Sequence, residues 1–184
     1  MMRKLVVILL ALMVCVAMPL MAQEKEEMAK GEMEEYAPPP PLDDKWCNFL
    51  IGEWEGTSEG PMGKSQERET IEMGLNGQFL FRRAEGKMEN GMSYVGMGAM
   101  TIDPESGKYV GYWIDSHRGM YEGTGQAEDG KLTMSWEGDM GSYTQVIEKV
   151  GDDKIAGTWT YTPADGEPMK GTYEMTRKKK MNEK

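Results

Sequence analysis

Residues 131–137 read KLTMSWE, and apolar side chains alternate strictly with polar ones along this stretch. Because successive side chains of an extended chain point to opposite faces, its leucine, methionine and tryptophan share one face. Residues 155–161, IAGTWTY, place an isoleucine, a glycine, a tryptophan and a tyrosine on one face in the same way. Alternation with a period of two and one polar face predicts half-buried strands of an antiparallel sheet.

Similar short alternations continue through the rest of the chain and are separated by turn-forming residues. Asn90-Gly91 and Asp129-Gly130 are examples, and their residues tolerate the positive φ of tight hairpins. A single open sheet of so many strands would expose its edges, so we predict an all-β, antiparallel, up-and-down β-barrel of about ten strands; a flattened sandwich is the alternative. The strands are expected to begin near Ile51, Ser65, Gln78, Met92, Lys108, Met120, Lys131, Tyr143, Lys154 and Met169.

One short helix is predicted before the first strand. Trp46, Phe49 and Leu50 are spaced as on one helical face, with aspartates in the first turn. Cys47 lies in the same segment, and we expect it to be a small buried apolar side chain.

The chain ends predict a division into four parts. Residues 1–22 have a basic head, an apolar middle and Ala22 at the end, as in a cleaved signal peptide. An uncleaved anchor and a lipoprotein are the alternatives. Residues 23–41 are acidic and proline-rich and are expected to be a disordered linker. The barrel domain would span residues 42–177 and a basic polar tail 178–184, and the protein would be periplasmic or secreted.

Composition excludes some partners. Asp and Glu number 31 against 21 Lys and Arg, a formal net charge of −10. A nucleic-acid-binding protein needs a basic face to neutralise phosphates, so nucleic acid is not an expected partner. We expect no stable membrane span after cleavage, and the sequence does not indicate an oligomeric state.

Gly52 and Trp54 follow the predicted helix, and Arg177 lies on the last strand, beside the first in a closed meander. These three residues resemble a structural element of the calycin superfamily, which includes lipocalins and fatty-acid-binding proteins. The resemblance implies that Trp54 plugs the barrel floor and that the Arg177 guanidinium covers the face of its ring.

Longer stretches extend this resemblance to one bacterial family. Residues 49–56, 75–80, 107–116 and 173–178 look like the family catalogued as domain of unknown function 1579. The resemblance covers the whole predicted globular part. It implies a lipocalin-like barrel whose function is not established, and it supplies no catalytic residues.

The sequence contains no recognisable catalytic constellation. His117 is the only histidine, and we interpret it as a solvated residue of a turn at one end of the barrel. Asp115, Ser116 and His117 are consecutive, and neighbouring side chains of a strand diverge, so they cannot form a hydrolase triad. His117 as an axial haem ligand is an alternative with weaker support. No enzyme activity, metal or cofactor is predicted.

Methionine is unusually abundant, with 19 residues. Thioethers are soft ligands, which makes a copper-binding protein another alternative. Copper sites group their methionines in short repeats, however, and in the chain after the predicted cleavage only Met97 and Met100 come close to that spacing. We therefore interpret the methionines as pliable core filling.

The leading functional hypothesis is an exported barrel that binds a small apolar or amphipathic molecule. The inward faces alternate bulky residues with glycine, which would leave room for such a guest. A structural or interaction protein with a filled barrel is the alternative. The candidate ligand-binding residues are Trp113, Asp115, His117, Met134, Trp136, Trp159 and Tyr161.

Overall fold

The computed structural model describes residues 39–179. The chain divides into two units, Met1–Pro39 and Pro40–Lys184, and the helix and strands described below belong to the second. The predicted signal peptide, most of the linker and the end of the tail lie outside the described residues. Within the tail, Lys178 pairs with the barrel wall, since its Nζ lies 3.0 Å from Glu55 Oε1.

The predicted short helix is present as α1, Lys45–Leu50. It begins at Asp44, whose carboxylate accepts hydrogen bonds from the backbone N–H groups of Trp46 and Cys47 at 2.9 and 2.8 Å, as an N-cap does. Cys47 is buried, and burial, reinforced by the Asp44 carboxylate, raises the pKa of its thiol to about 12.

Ten antiparallel strands close into a barrel in chain order, with the last strand beside the first. The predicted up-and-down barrel is therefore confirmed, and each strand begins within two residues of its predicted start. The strands are β1 Gly52–Gly60, β2 Gly63–Gly74, β3 Phe79–Met88, β4 Ser93–Ile102, β5 Tyr109–Asp115, β6 Met120–Glu128, β7 Lys131–Gly138, β8 Gly141–Lys149, β9 Lys154–Pro163 and β10 Met169–Arg177.

The two ends of the barrel are built differently. One end, here the helix end, carries α1 and the turns at 75–78, 103–108, 129–130 and 150–153. The opposite end, here the distal end, carries the other five hairpin turns and no helix from residues 39–179. These are the turns at 61–62, 89–92, 116–119, 139–140 and 164–168.

Trp54 closes the helix end. Its side chain is fully buried, and its indole N–H donates to the Leu50 carbonyl at 2.8 Å. The Arg177 guanidinium lies 4.2 Å from the centroid of the Trp54 ring and donates to the carbonyl oxygens of Phe49 and Ile51. Gly52 has φ of +140°, and a β-carbon there would lie 2.9 Å from Arg177 Nη1. This floor thus joins the helix, β1 and β10.

Glycines on the inner wall receive aromatic rings from the strand beside them. A β-carbon on Gly96 would lie 2.4 Å from Trp113, and one on Gly123 would lie 2.3 Å from Trp136. Since real β-carbons do not approach so closely, these positions require glycine. The expectation that alternating glycines leave the interior roomy is therefore wrong, because the rings occupy the space that the glycines provide.

Candidate functional site

A polar layer crosses the middle of the barrel. It consists of Glu69 on β2 and Gln145 on β8, which are buried, and Arg82 on β3, whose side chain is 23% exposed. Arg82 Nε donates to Glu69 Oε2 at 2.9 Å, and its Nη2 donates to the other carboxylate oxygen. Arg82 Nη1 donates to Gln145 Oε1 at 3.0 Å. Such a forked guanidinium–carboxylate pair fixes the direction of the remaining N–H groups.

Aromatic side chains hold this layer from one side. The Arg82 guanidinium carbon lies 5.6 Å from the centroid of the Trp113 ring, within the range of cation–π attraction. The indole N–H of Trp113 donates to the Tyr94 hydroxyl oxygen at 2.6 Å. The rings of Trp113 and Trp136 lie 6.2 Å apart, tilted by 56°. The orientation of Arg82 is therefore fixed by both charge and packing.

Charges inside the barrel shift the pKa values of the layer and its neighbours. Burial alone would lower the pKa of Arg82, but the Glu69 charge and its hydrogen bonds raise it above its ordinary value. Glu67, one inward position closer to the distal end, has a raised pKa because it is buried, although a hydrogen bond from Ser65 opposes the shift. Arg82 thus stays charged, while Glu67 takes up a proton more readily than an exposed glutamate.

Several hydrogen-bond donors next to the polar layer are unused within residues 39–179. The Tyr143 hydroxyl has no hydrogen-bond partner there, although its pKa responds to the charges of Arg82, Glu69 and Glu67. Tyr94 accepts a hydrogen bond from Trp113 but donates its own proton to no described residue. Burial raises the pKa of Tyr94 to about 12, so it is a neutral donor. Arg82 uses three of the five N–H groups of a guanidinium.

A small cavity lies between the polar layer and the helix end. Its volume is about 30 Å³, enough for about two water molecules and too small for an organic ligand. Its walls are mostly apolar, and Glu69, Arg82 and Gln145 contribute the polar part. The apolar wall includes Leu50, Ile71, Leu80, Met100, Trp113, Leu132, Met134, Trp136, Ile147 and Ile155.

Three of the seven predicted ligand-binding residues meet at this cavity, namely Trp113, Met134 and Trp136. Trp159 lies toward the distal end instead, and its indole N–H donates to Ser58 Oγ at 2.9 Å. The Tyr161 hydroxyl donates to the Met140 carbonyl at 2.9 Å. These two aromatic side chains therefore pack the distal part of the wall.

Asp115 and His117 belong to the distal turn between β5 and β6. Asp115 Oδ1 accepts from the backbone N–H groups of His117 and Gly119, both at 2.9 Å. That carboxylate oxygen therefore holds the turn. His117 is exposed, and its ring stacks on Tyr94 with centroids 5.9 Å apart. The structure thus connects His117 to the polar layer only through Tyr94 and Trp113.

The central polar residues were not among the predicted site residues. Arg82 shares the inner face with Leu80 and Ala84, and Glu69 shares it with Ile71. Arg82 lies at an inward position between two apolar residues, which is a signal in the sequence, but Phe79 and Phe81 on the other face leave the alternation of β3 ambiguous. Glu69 lies between Glu67 and Ile71 on the inner face, so alternation alone does not identify it.

Metal-ligand clusters and membrane-spanning helices are not found in the described part of the chain. Within residues 39–179, no three His, Cys, Asp or Glu side chains come together as a metal site would require. No helix in that range has both the length and the apolar character needed to cross a membrane.

The closed ten-stranded meander, with a tryptophan floor covered by an arginine, defines a calycin-like barrel. Residues 40–178 match the family described as "Protein of unknown function (DUF1579)", and the chain belongs to that family. No curated protein matches the chain.

Solved structures resemble this barrel at low sequence identity. The S-type phycobiliprotein lyase CPES from Guillardia theta has a TM-score of 0.56 at 12% identity, covering 73% of this chain and 92% of that one. Rv2717c from M. tuberculosis has a TM-score of 0.57 at 11% identity, covering 73% and 96%. The barrel EF1p2_mFAP2b, solved bound to DFHBI, has a TM-score of 0.46 at 14% identity, covering 71% and 95%. At these identities the first two likenesses show a common fold.

Proposed function

We propose that the protein binds a small amphipathic molecule at the distal side of the polar layer, with an anionic or strongly accepting head group facing Arg82. The observation that carries the proposal is the set of unused donors at one place. The Tyr143 hydroxyl, the Tyr94 proton and two Arg82 N–H groups have no acceptor within residues 39–179. No fully buried side-chain nitrogen or oxygen atom in residues 39–179 lacks a hydrogen-bond partner, so these donors face solvent inside the barrel. A bound acceptor group would replace the water that they contact.

The chemistry of the surroundings specifies the ligand class. Among these donors only the Arg82 guanidinium is charged, and Glu69 already balances that charge. A bound anion would therefore bring excess negative charge. Glu67 relieves this excess because its raised pKa favours the protonated form beside an anion. Trp113 and Trp136 provide flat apolar surfaces for a hydrophobic or aromatic body. A carboxylate, sulfonate or enolate attached to an apolar body fits these features.

The route to the donors is from the distal end. Tyr94 and Tyr143 are only half-buried, so a molecule entering there meets their hydroxyls before it meets Arg82. The cavity on the helix side is about 30 Å³, so the apolar body of the ligand would occupy the distal half of the barrel. No chemical transformation is proposed.

The small cavity also favours a second candidate, a structural or interaction protein with a filled barrel. In that case the polar layer would be hydrated by one or two water molecules, and the outer surface of the barrel would make the functional contacts. Native mass spectrometry of protein purified from its own host separates the two candidates, because a retained small molecule requires the first.

The direct test uses the fluorescent probe 1-anilinonaphthalene-8-sulfonate, an amphipathic anion, with the full chain and its Tyr143→Phe variant. A hydrogen bond to a charged group contributes about 1.5–3 kcal/mol, so the variant should bind at least about tenfold more weakly. Nile red, an uncharged probe, should lose less affinity, since it has no anionic group for Tyr143 to bind.

Tyr112→Phe is the matched control. Tyr112 is 66% exposed on the outer wall, so the same substitution there should leave both probes unaffected. Absence of sulfonate-probe binding to the unaltered protein, or equal affinities for the two variants, would overturn the proposed site and favour the filled barrel.

We also propose that the protein is exported with removal of residues 1–22. The basic head, the apolar run and Ala22 support this proposal. N-terminal sequencing of exported material should begin at Gln23. Retention of Met1 in a membrane fraction would instead identify an uncleaved anchor.

A further inference from the structure

Methionines surround the distal end of the barrel. Each of its five hairpins has one within the turn or at the first strand residue after it, which together form the methionine rim. The methionine rim consists of Met62, Met92, Met120, Met140 and Met169. The four hairpins of the helix end have none at the equivalent positions. Core filling therefore does not account for these residues.

The rim is exposed to solvent. Four of its side chains are between 46% and 73% exposed, while Met134 and Met175 in the core are each 2% exposed. Turns usually carry small polar residues that form the turn itself, and the rim side chains gain little burial in exchange for their apolar surface. The feature that four of the five rim positions have in common is an exposed methionine side chain.

An accessible thioether accepts an oxygen atom from a hydroperoxide. The sulfur lone pair attacks the terminal oxygen of the hydroperoxide, an S–O bond forms as the O–O bond breaks, and the proton on that oxygen passes to the departing alkoxide or hydroxide. The sulfur is oxidised by two electrons to the sulfoxide, and the hydroperoxide is reduced to an alcohol or water. The product is polar, and methionine sulfoxide reductases reverse the change.

We propose that the methionine rim is an oxidative modification site, at which hydroperoxides convert an apolar rim into a polar one while the core methionines stay reduced. Oxidation would place several sulfoxide dipoles around the entrance through which the proposed ligand passes. The effect on ligand binding rests on the proposed function, whereas the oxidation itself does not.

The experiment treats the folded full chain with hydrogen peroxide and follows each methionine by peptide mapping and mass spectrometry. Met62, Met92, Met120 and Met140 should gain one oxygen atom each several times faster than Met134 and Met175. Retention on a hydrophobic-interaction column should fall as the rim is oxidised. A variant with leucine at those four rim positions should keep its retention under the same treatment.

Met97→Leu is the matched control. Met97 is 48% exposed on the outer wall, as accessible as the rim but away from it. Met97 should therefore oxidise as well. Oxidation of the unaltered protein should weaken binding of the sulfonate probe severalfold. Replacing Met97 should protect neither this binding nor the column retention. Protection of both by the rim variant supports the proposal.

Three results would overturn the proposal: equal oxidation rates for core and rim, an equal loss of retention in the rim variant, or protection by Met97→Leu alone. If the untreated protein fails to bind the sulfonate probe, the proposed function fails. The peptide map and the column retention still decide whether the rim is the modification site.

Discussion

The helix end and the distal end of the barrel differ in what their side chains have available. At the helix end the tryptophan floor is complete, since the indole of Trp54 and the guanidinium of Arg177 donate to backbone carbonyls of the helix and of Ile51, the residue after it. Toward the distal end the hydroxyls of Tyr94 and Tyr143 keep unused donors, and the turns expose thioethers. The packed floor therefore lies at one end, and the unused donors and exposed methionine side chains lie toward the other.

The largest effect is expected at the floor. Trp54→Ala should reduce the free energy of unfolding by about 3–5 kcal/mol, the usual range for truncating a buried aromatic residue. Trp159→Ala provides the comparison at the other end. It should cost less, about 1–2 kcal/mol, because that ring is only half-buried. Urea denaturation measures both, and equal losses would contradict the assignment of stability to the helix end.

The polar layer between the two ends should give the next largest effect. Arg82→Met leaves the Glu69 carboxylate buried without its partner, which should cost about 3 kcal/mol, the lower part of the range for a broken buried pair. Replacing Glu69 by Gln in the same chain should recover much of that loss, because it removes the uncompensated charge.

An exposed pair is the control for this prediction. Arg68 and Glu55 lie 3.2 Å apart on the outer wall, and Arg68→Met should change the free energy of unfolding by less than about 1 kcal/mol. Denaturation of all three variants measures the difference. An Arg82→Met protein as stable as Arg68→Met would mean that the layer is not a buried pair.

The floor and the polar layer also differ in how far sequence could predict them. Strand number, barrel closure and family could be predicted from the sequence. The signals were the alternation in residues 131–137, the turn dipeptides, and the order of helix, Trp54 and Arg177. The polar layer could not be predicted in this way, because Arg82 and Arg83 are consecutive, one inward and one outward, and the strand register is needed to distinguish them. The methionine rim follows from the up-and-down strand order, because alternate turns of such a meander share one end.

Packing of the inner wall allows a smaller test. Gly96→Ala would place a β-carbon 2.4 Å from the Trp113 ring and should cost about 1–3 kcal/mol, as overpacking does. Because Trp113 also holds Arg82, the variant should bind the sulfonate probe more weakly. Gly151→Ala, in a helix-end turn with its nearest neighbour atom 3.8 Å away, should leave both quantities nearly unchanged. Equal behaviour of the two variants would contradict the packing of Trp113 on Gly96.

The smallest effect concerns pH and comes from Glu67. Its pKa is raised above the ordinary 4.5, chiefly by burial, so the folded protein holds this proton more tightly than the unfolded chain. The folded state therefore binds more protons in the interval above pH 4.5, and the Glu67 contribution to stability falls as pH rises through that interval. Glu67→Gln cannot ionise, so this decline should disappear from its stability curve.

The same proton should couple to ligand binding at the distal side of the layer. A protonated Glu67 places no negative charge beside a bound anion, so the sulfonate probe should bind more tightly as pH falls toward 4.5, and Nile red should not. Fluorescence titration of both probes across this pH range, with the unaltered protein and Glu67→Gln, measures the coupling. If binding of the sulfonate probe keeps the same pH dependence in Glu67→Gln, a group other than Glu67 takes up the proton that is coupled to binding. The anionic head of the probe then does not lie beside Glu67.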